Sequence, residues 1–316
     1  GANLDELAFA GKQTSDGPDG FSKCFEVDVT TAENALDAND LAYIRYKIED
    51  QDLVPLFNAN GTGKDFTLSF YVKAYQAGTY QLNIYKNQGP RFISKTYTVD
   101  ASATWQRVVI PFTGDTNTSG MNDDNGNGFQ IAWMLVAGTD YTSAGVLPNW
   151  GGWPGNSGFA GGHAVNVASS ANNYFRITGI QLELGSQATA FEHRSFAEEL
   201  ALCQRYFCRL KPATGFINYG VGGAYSSTQA VAQVNLPVPM RASPTFSYNG
   251  ALNTFYDIVG GFSSLSALVQ TQVMGSSTTG YSHVNVQATG SGTAGNPYML
   301  ATYNNTNTYL DFASEL

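Results

Sequence analysis

The sequence predicts an all-β protein: an N-terminal jelly-roll β-sandwich, one connecting helix and a smaller C-terminal β-sandwich. Three observations carry that expectation. Apolar residues alternate in short segments, with turn residues about every 8–12 positions, as antiparallel sandwiches require. The composition is rich in Gly (34), Tyr (18) and Phe (19), and only 13% of residues are charged, against about 25% in ordinary domains. Helical spacing is convincing in one place alone, residues 195–208.

The elements follow in order. Residues 1–22, with Gly11 and the turn-like run 15–20, carry few strand signals and read as an entry segment. In 25–30, Phe25, Val27 and Val29 share one face, and 42–48 repeats the device with Ile44, Tyr46 and Ile48. Residues 52–57 suit a short helical turn. Phe66, Leu68, Phe70 and Val72 form an apolar stripe at period two. Residues 78–85, 93–99, 105–112, 129–137 and 174–184 complete about eight strands. Pro111 suits an edge or strand end, and Trp105 is expected in the core.

The helix has a marked start. Ser195 and Glu198 have capping-box spacing. Phe196, Leu200, Cys203 and Phe207 then line one face, with Leu202 and Tyr206 beside them. That stripe needs a partner: the second domain, the underside of the first, or the same helix in another subunit. Beyond Pro212, strands are expected at 230–236 (ended by Pro237-Val238-Pro239), 246–248, 255–259, 267–273, 284–288, 298–303 and 309–312. The predicted organisation is a jelly roll over 1–187, linker and helix over 188–210, and a second sandwich over 211–316.

Bulk properties exclude several functions. A net charge of −9 and no Lys/Arg cluster argue against nucleic-acid binding. No apolar run approaches the roughly 20 residues that insert in a membrane. Three cysteines, Cys24, Cys203 and Cys208, make no disulfide framework. Cys203 and Cys208 would stand about 140° apart on a helix, and all three read as small buried hydrophobes. Asp123-Asp124-Asn125-Gly126-Asn127-Gly128 matches the first half of a calcium loop, but Met134 stands where the closing Glu belongs, so a plain turn is expected. No metal or other cofactor is called for. Glu183 and Glu192 offer no supported catalytic pair, and His163, His193 and His283 are scattered. No nucleophile set or phosphate loop is present, so no enzyme is expected.

One segment invites a ligand. Trp150 and Trp153 lie in a Gly-rich run over about 144–162, with Tyr141 and His163 at its edges. Exposed rings on such a loop stack on sugars. The competing reading is that the rings pin the loop to the sandwich.

The junction Ile177-Thr178-Gly179-Ile180-Gln181-Leu182-Glu183-Leu184-Gly185, then Ala188-Thr189-Ala190-Phe191-Glu192 and the helix, resembles the junction of many tailed-bacteriophage structural proteins. There, a carbohydrate-binding-module-like jelly roll ends and a C-terminal β domain begins. Further matching pieces, in the expected order, are residues 22–27, 66–73, 78–80, 103–107, 110–116 and 124–126, and in the second region 237–245. The resemblance covers roughly residues 14–245 and implies a virion component, assembled in the bacterial cytoplasm. Related chains usually carry more sequence ahead of Phe25, so a longer N-terminal part is expected. The function implied is a non-catalytic tail fibre or receptor-binding protein that touches host-surface glycans. Its partners would be other virion proteins and copies of itself, trimers being what the resemblance suggests. The alternatives are a capsid decoration or head-fibre protein, and a tail enzyme degrading polysaccharide.

Overall fold

The alternation read in the sequence becomes two pairs of facing sheets. The computed structural model describes residues 2–3, 7–215, 217–249, 256–257, 261–262, 265–276, 280–290, 293–302 and 306–316. The chain divides into two units, Gly1–Glu192 and His193–Leu316. In the first unit the strands are β1 (Ala2–Asn3), β2 (Ala8–Thr14), β3 (Cys24–Thr31), β4 (Leu41–Glu49), β5 (Phe66–Ala74), β6 (Gly78–Lys86), β7 (Arg91–Val99), β8 (Gln106–Phe112), β9 (Asn127–Ala137) and β10 (Tyr174–Leu184). They form two antiparallel sheets, in the orders β1-β4-β9-β6-β7 and β2-β3-β10-β5-β8. With the edge strands β1 and β2 set aside, this is the strand order of a jelly roll, two interleaved Greek keys. The eight expected strands are all present. A short helix α1 (Asp50–Leu53) and a 3₁₀ turn (Val54–Leu56) fill the place of the predicted helical turn.

β2 was not legible. Its sequence, AFAGKQT, has a single β-branched residue, yet it pairs along β3. Gly11 lies under the Phe25 ring, where a Cβ would come within 3.2 Å. Between the sheets, Phe70 meets Trp133 at 5.8 Å and Tyr97 at 5.2 Å, both near-perpendicular, while Phe66 stacks on Phe112 at 5.1 Å. Trp133 is the fully buried tryptophan of this core. Trp105, expected there, is half-buried outside it and donates from Nε1 to Asp16 at 3.2 Å.

One end of the core is closed by charge. Lys86, on the inward side of β6, is fully buried and meets the equally buried Asp115 at 3.1 Å, and Arg91 reaches the same carboxylate at 3.2 Å. Asp115 also accepts from the Asn117 backbone. In the other sheet, β10 carries a bulge between Thr178 and Gln181. Its Gly179 has φ +58°, and a Cβ there would sit 2.7 Å from the Phe21 ring. The bulge turns Gln181 outward, where it accepts from the Glu192 backbone at 2.7 Å and donates to the Ala190 carbonyl at 3.2 Å. Residues 188–192, expected as an extended linker, therefore fold back onto β10.

In the second unit, α3 (Phe196–Gln204) follows α2 (Thr139–Thr142) of the first. The capping box is formed: Ser195 accepts from the Glu198 backbone, and the Glu198 carboxylate accepts from that of Ser195. The helix ends four residues earlier than its spacing predicts. Phe207 and Cys208 belong instead to β11 (Phe207–Leu210), because that segment pairs with the C-terminal strand. The last carbonyls of the helical segment are taken up locally: Arg205 accepts from Arg241 and Ser314, and Tyr206 accepts from Ser314. The remaining strands are β12 (Ile217–Ala224), β13 (Gln229–Met240), β14 (Thr245–Asn249), β15 (Tyr256–Asp257), β16 (Gly261–Phe262), β17 (Leu265–Ser276), β18 (Gly280–Gly290), β19 (Pro297–Thr302) and β20 (Tyr309–Ala313). They make a sheet β11-β20-β14 and a sheet β16-β15-β19-β12-β13-β18-β17, with one core between them that includes Cys208, Val234, Val286 and Phe312. β13 runs on through Pro237-Val238-Pro239 by a register shift. Part of the expected strand 255–259 lies outside the described residues.

The stripe on α3 is not buried. Phe196 is 82% exposed, Leu200, Leu202 and Phe207 are exposed, and so is Cys203. Cys203 thus departs from the expected buried cysteine, while Cys24 and Cys208 fit it. Residues 212–316 carry four charged side chains, Arg241, Asp257, Asp311 and Glu315. The outward faces of β12 and β13 are therefore built from uncharged residues.

The buried ion pair generates a prediction. Asp115→Ala leaves the Lys86 ammonium buried without its partner and should cost about 3–5 kcal/mol in a denaturation midpoint. The double replacement Lys86→Met/Asp115→Leu should cost much less. Equal losses in the two proteins would contradict the role given to the pair.

Candidate functional site

The site is built on the outward face of the sheet β4-β9-β6-β7. Alternation sends Phe129, Ile131 and Trp133 of β9 into the core and Gln130, Ala132 and Met134 to the other side. On β6, Leu82 and Ile84 face in, and Gln81, Asn83 and Tyr85 face out. Register then places Lys47, Gln130, Tyr85 and Phe92 in one row across four strands, and Arg45, Ala132, Asn83 and Ser94 in the next.

Gln81 and Asn83 are fully buried although they face outward. The segment after β9 covers them. Gln81 and Asn83 both donate to the carbonyl of Phe159, at 3.0 and 2.7 Å, and Gln81 accepts from the Gly162 backbone at 2.5 Å. Phe159 meets Tyr43 edge-on at 5.4 Å, and Ala160 packs with Ala132 and Met134. The glycines of the run are needed for this close approach. A Cβ on Gly161 would lie 1.9 Å from the Ala144 carbonyl oxygen, and one on Gly162 2.5 Å from Thr96 and Val146. Further along, the loop backbone pairs with the edge of β7: Phe92 and Gly151 exchange bonds at 2.9 Å, and Ser94 donates to Leu147 at 2.8 Å. The edge strand is thereby covered.

This seating decides the fate of each ring singled out in the sequence. Trp150 donates from Nε1 to the Thr113 carbonyl at 2.8 Å, packs against the main core, and has its own carbonyl held by Arg91 at 2.9 Å. It pins the loop to the sandwich. Tyr141 is half-buried against the Ala132, Met134 and Ala160 cluster. His163 is 8% exposed, edge-on to Tyr80 at 5.5 Å, and presents no face to a ligand. Trp153 alone stays open. It is 50% exposed, with its ring perpendicular to Phe92 at 5.5 Å and to Tyr85 at 6.1 Å. Tyr85, half-buried, lies against it; Gln130, also half-buried, pairs with Tyr85 from β9 and accepts from the exposed Arg45 of β4 at 3.2 Å. Sequence reasoning did not find these three, because only the strand order brings β4, β9 and β6 together. The remaining candidates, Phe196, Leu200, Cys203 and Phe207, belong to the second unit.

Two other constellations form turns and local bonds. In 123–128, Asp124 accepts from the Gly126 backbone at 2.7 Å, and the carbonyls of Asp124 and Gly126 accept from Gln51 and Asp50. Among the described residues, no three His, Cys, Asp or Glu side chains are grouped to hold a metal. For Glu183, burial pushes the carboxyl up, but bonds from Thr189 and Gln181 outweigh it and hold it below the usual range.

No family model matches the chain, and no curated protein matches it. Among solved structures it is similar to the enzymatically active domain of tailspike protein 4 of bacteriophage CBA120. That match has 13% identity and a TM-score of 0.30, covering 56% of this chain and 18% of the tailspike chain. It is also similar to the tandem CBM22-1–CBM22-2 domain of Paenibacillus barcinonensis Xyn10C, at 8% identity and TM-score 0.29, over 99% of this chain and 95% of that one. A third is the family 11 carbohydrate-binding module of Clostridium thermocellum, in complex with a mixed-linked tetrasaccharide, at 14% identity and TM-score 0.31, over 60% and 90%. With identities and TM-scores this low, nothing about ligand or role passes from them to this chain.

His163 gives the site a pH dependence. Burial lowers its pKa from 6.5 to about 4, against the nearby carbonyls of Leu135 and Val165, and neither ring nitrogen has a partner in hydrogen-bond geometry. Between those values the unfolded chain binds the extra proton, so stability is complete above about pH 6.5 and falls as pH drops towards 4. The loss should approach about 3 kcal/mol, and His163→Leu should flatten the profile. Identical acid profiles for the two proteins would remove His163 from this account.

Proposed function

We propose that the chain is a non-catalytic, glycan-binding component of a bacteriophage virion, of tail-fibre or receptor-binding type. The observation that carries the reading is Trp153. A half-exposed indole is held by three other rings, Phe92, Tyr85 and Phe159, at 5.5–6.1 Å, with the Gln130 amide on the strand next to Tyr85. A rigid aromatic face beside directional polar groups is what a sugar ring needs. The surface is shallow, so each site would bind weakly and gain from repetition over a particle. The resemblance of the junction and of the segments ahead of it supports the virion setting.

Repetition through self-association is supported by the second unit. Interface cores are depleted in charge, and residues 212–316 hold only four charged side chains, while Val221, Tyr225, Val269 and Phe196 are exposed. A homo-oligomer, a trimer by the resemblance, would cover such surfaces. The enzyme alternative finds less support. A glycosidic general acid needs a raised pKa, and that of Glu183 is lowered. A capsid decoration role would use the same fold with a different partner.

Trp153→Ala should weaken binding to host cells or an immobilised host polysaccharide at least tenfold, a change of about 1.4 kcal/mol, with little change in Tm. Trp150→Ala should instead lower stability by about 3–5 kcal/mol. Undiminished binding by a folded Trp153→Ala protein would remove this surface from consideration.

A further inference from the structure

A buried carboxylate just after β4 lacks the partners that its burial calls for. Asp50 is 0% exposed, and its Oδ1 has no hydrogen-bond partner among the described residues. Its Oδ2 accepts from Nε2 of Gln88, in the turn between β6 and β7, at 2.9 Å. The buried Lys86 and the half-buried Arg91, at either end of that turn, pair with Asp115 instead. What approaches Asp50 is a second acid. A Cβ on Gly126 would lie 2.7 Å from Asp124 Oδ1 and 3.7 Å from Asp50 Oδ2, and one on Gly128 would lie 2.8 Å from Asp50 Oδ1. The two glycines thus leave the space that the carboxylates share. Burial raises the Asp50 pKa, the Gln88 bond offsets part of that rise, and the Asp124 charge adds to it.

Buried charges in proteins are paired or coordinate a metal. We infer that Asp50, Asp124 and Gln88 form a calcium site at the end of the sheet β4-β9-β6-β7. The donors are oxygens, which suits a hard cation. Calcium takes about six to eight of them in flexible arrangements, water included, whereas magnesium demands a near-ideal octahedron. The two carboxylates and Oε1 of Gln88 supply the protein's share, and water completes the shell on the side of the exposed Asp124. The run 123–128 lacks the closing Glu of a calcium loop, and Asp50 brings the missing acid from another strand end. The ion would bind together segments already joined through the backbone. Asp50 donates to Gly126 and Gln51 to Asp124, both at 2.9 Å, and Asn87 donates to Gly128 at 2.8 Å.

The test uses the whole chain, dialysed against a chelator and titrated with calcium or magnesium chloride at constant ionic strength. Calcium should bind, as read by calorimetry, and at about a hundredfold above its Kd should raise Tm by roughly 5–10 °C. Asp50→Asn and Asp124→Asn should each weaken that binding at least tenfold. In chelator, Asp50→Asn should melt no lower than the unaltered protein, because it removes a buried charge. Asp124→Asn changes an exposed residue and carries the test if Asp50→Asn does not fold. Failure of calcium to bind with a Kd below about 1 mM would overturn the site and leave Asp50 as a protonated buried acid. A calcium response retained in both variants, or an equal response to magnesium, would overturn it as well.

Discussion

Two buried amides converge on one carbonyl, and the candidate site depends on that contact. Gln81 and Asn83 project from the outward face of β6, where an uncovered sheet would leave them to water. Both instead donate to Phe159, and Gln81 takes a bond back from Gly162. Buried amides without partners would each cost about 1–3 kcal/mol, so the covering segment and the strand specify each other. Once Phe159 is fixed, Ala160 reaches Met134, the backbone at 147–151 lies along β7, and Trp153 comes to rest against Phe92 and Tyr85.

The same seating separates two tryptophans three residues apart. Trp150 turns towards the end of the sandwich where Lys86 and Asp115 are buried, and the half-buried Arg91 ties its carbonyl to that ionic group. Trp153 turns outward. One anchors and one displays, so the aromatic face is held without spending its own exposed surface on the anchoring. Charge is also divided along the chain. Ion pairs are frequent in the first unit, whereas the second has strands almost without charge. The first unit thus has the means for directional polar recognition, and the second has surfaces suited to burial against like surfaces.

Much of the fold was legible. Phe66, Leu68, Phe70 and Val72 announce a strand by period alone, and Ser195 with Glu198 announces a capped helix. What failed did so for tertiary reasons. β2 lacks strand-forming residues and is held by pairing with β3. Phe207 continues a helical spacing, yet pairing with β20 and the burial of Cys208 pull it into a strand. The candidate loop was visible as a segment but not as a surface. Nothing local distinguishes Trp150 from Trp153, because the acceptor for Trp150, Thr113, lies 37 residues earlier. Arg45, Gln130 and Tyr85 become neighbours only through a strand order that the sequence does not display.

Hydrogen exchange on a Gln81→Ala/Asn83→Ala protein tests the central claim most directly. The account predicts that amides at 147–163 lose their protection and that Trp153 fluorescence shifts towards that of a solvated indole, while amides of β5 and β9 stay protected. Unchanged protection at 147–163 in a folded double variant would contradict it, because the loop would then be held by something other than these two amides.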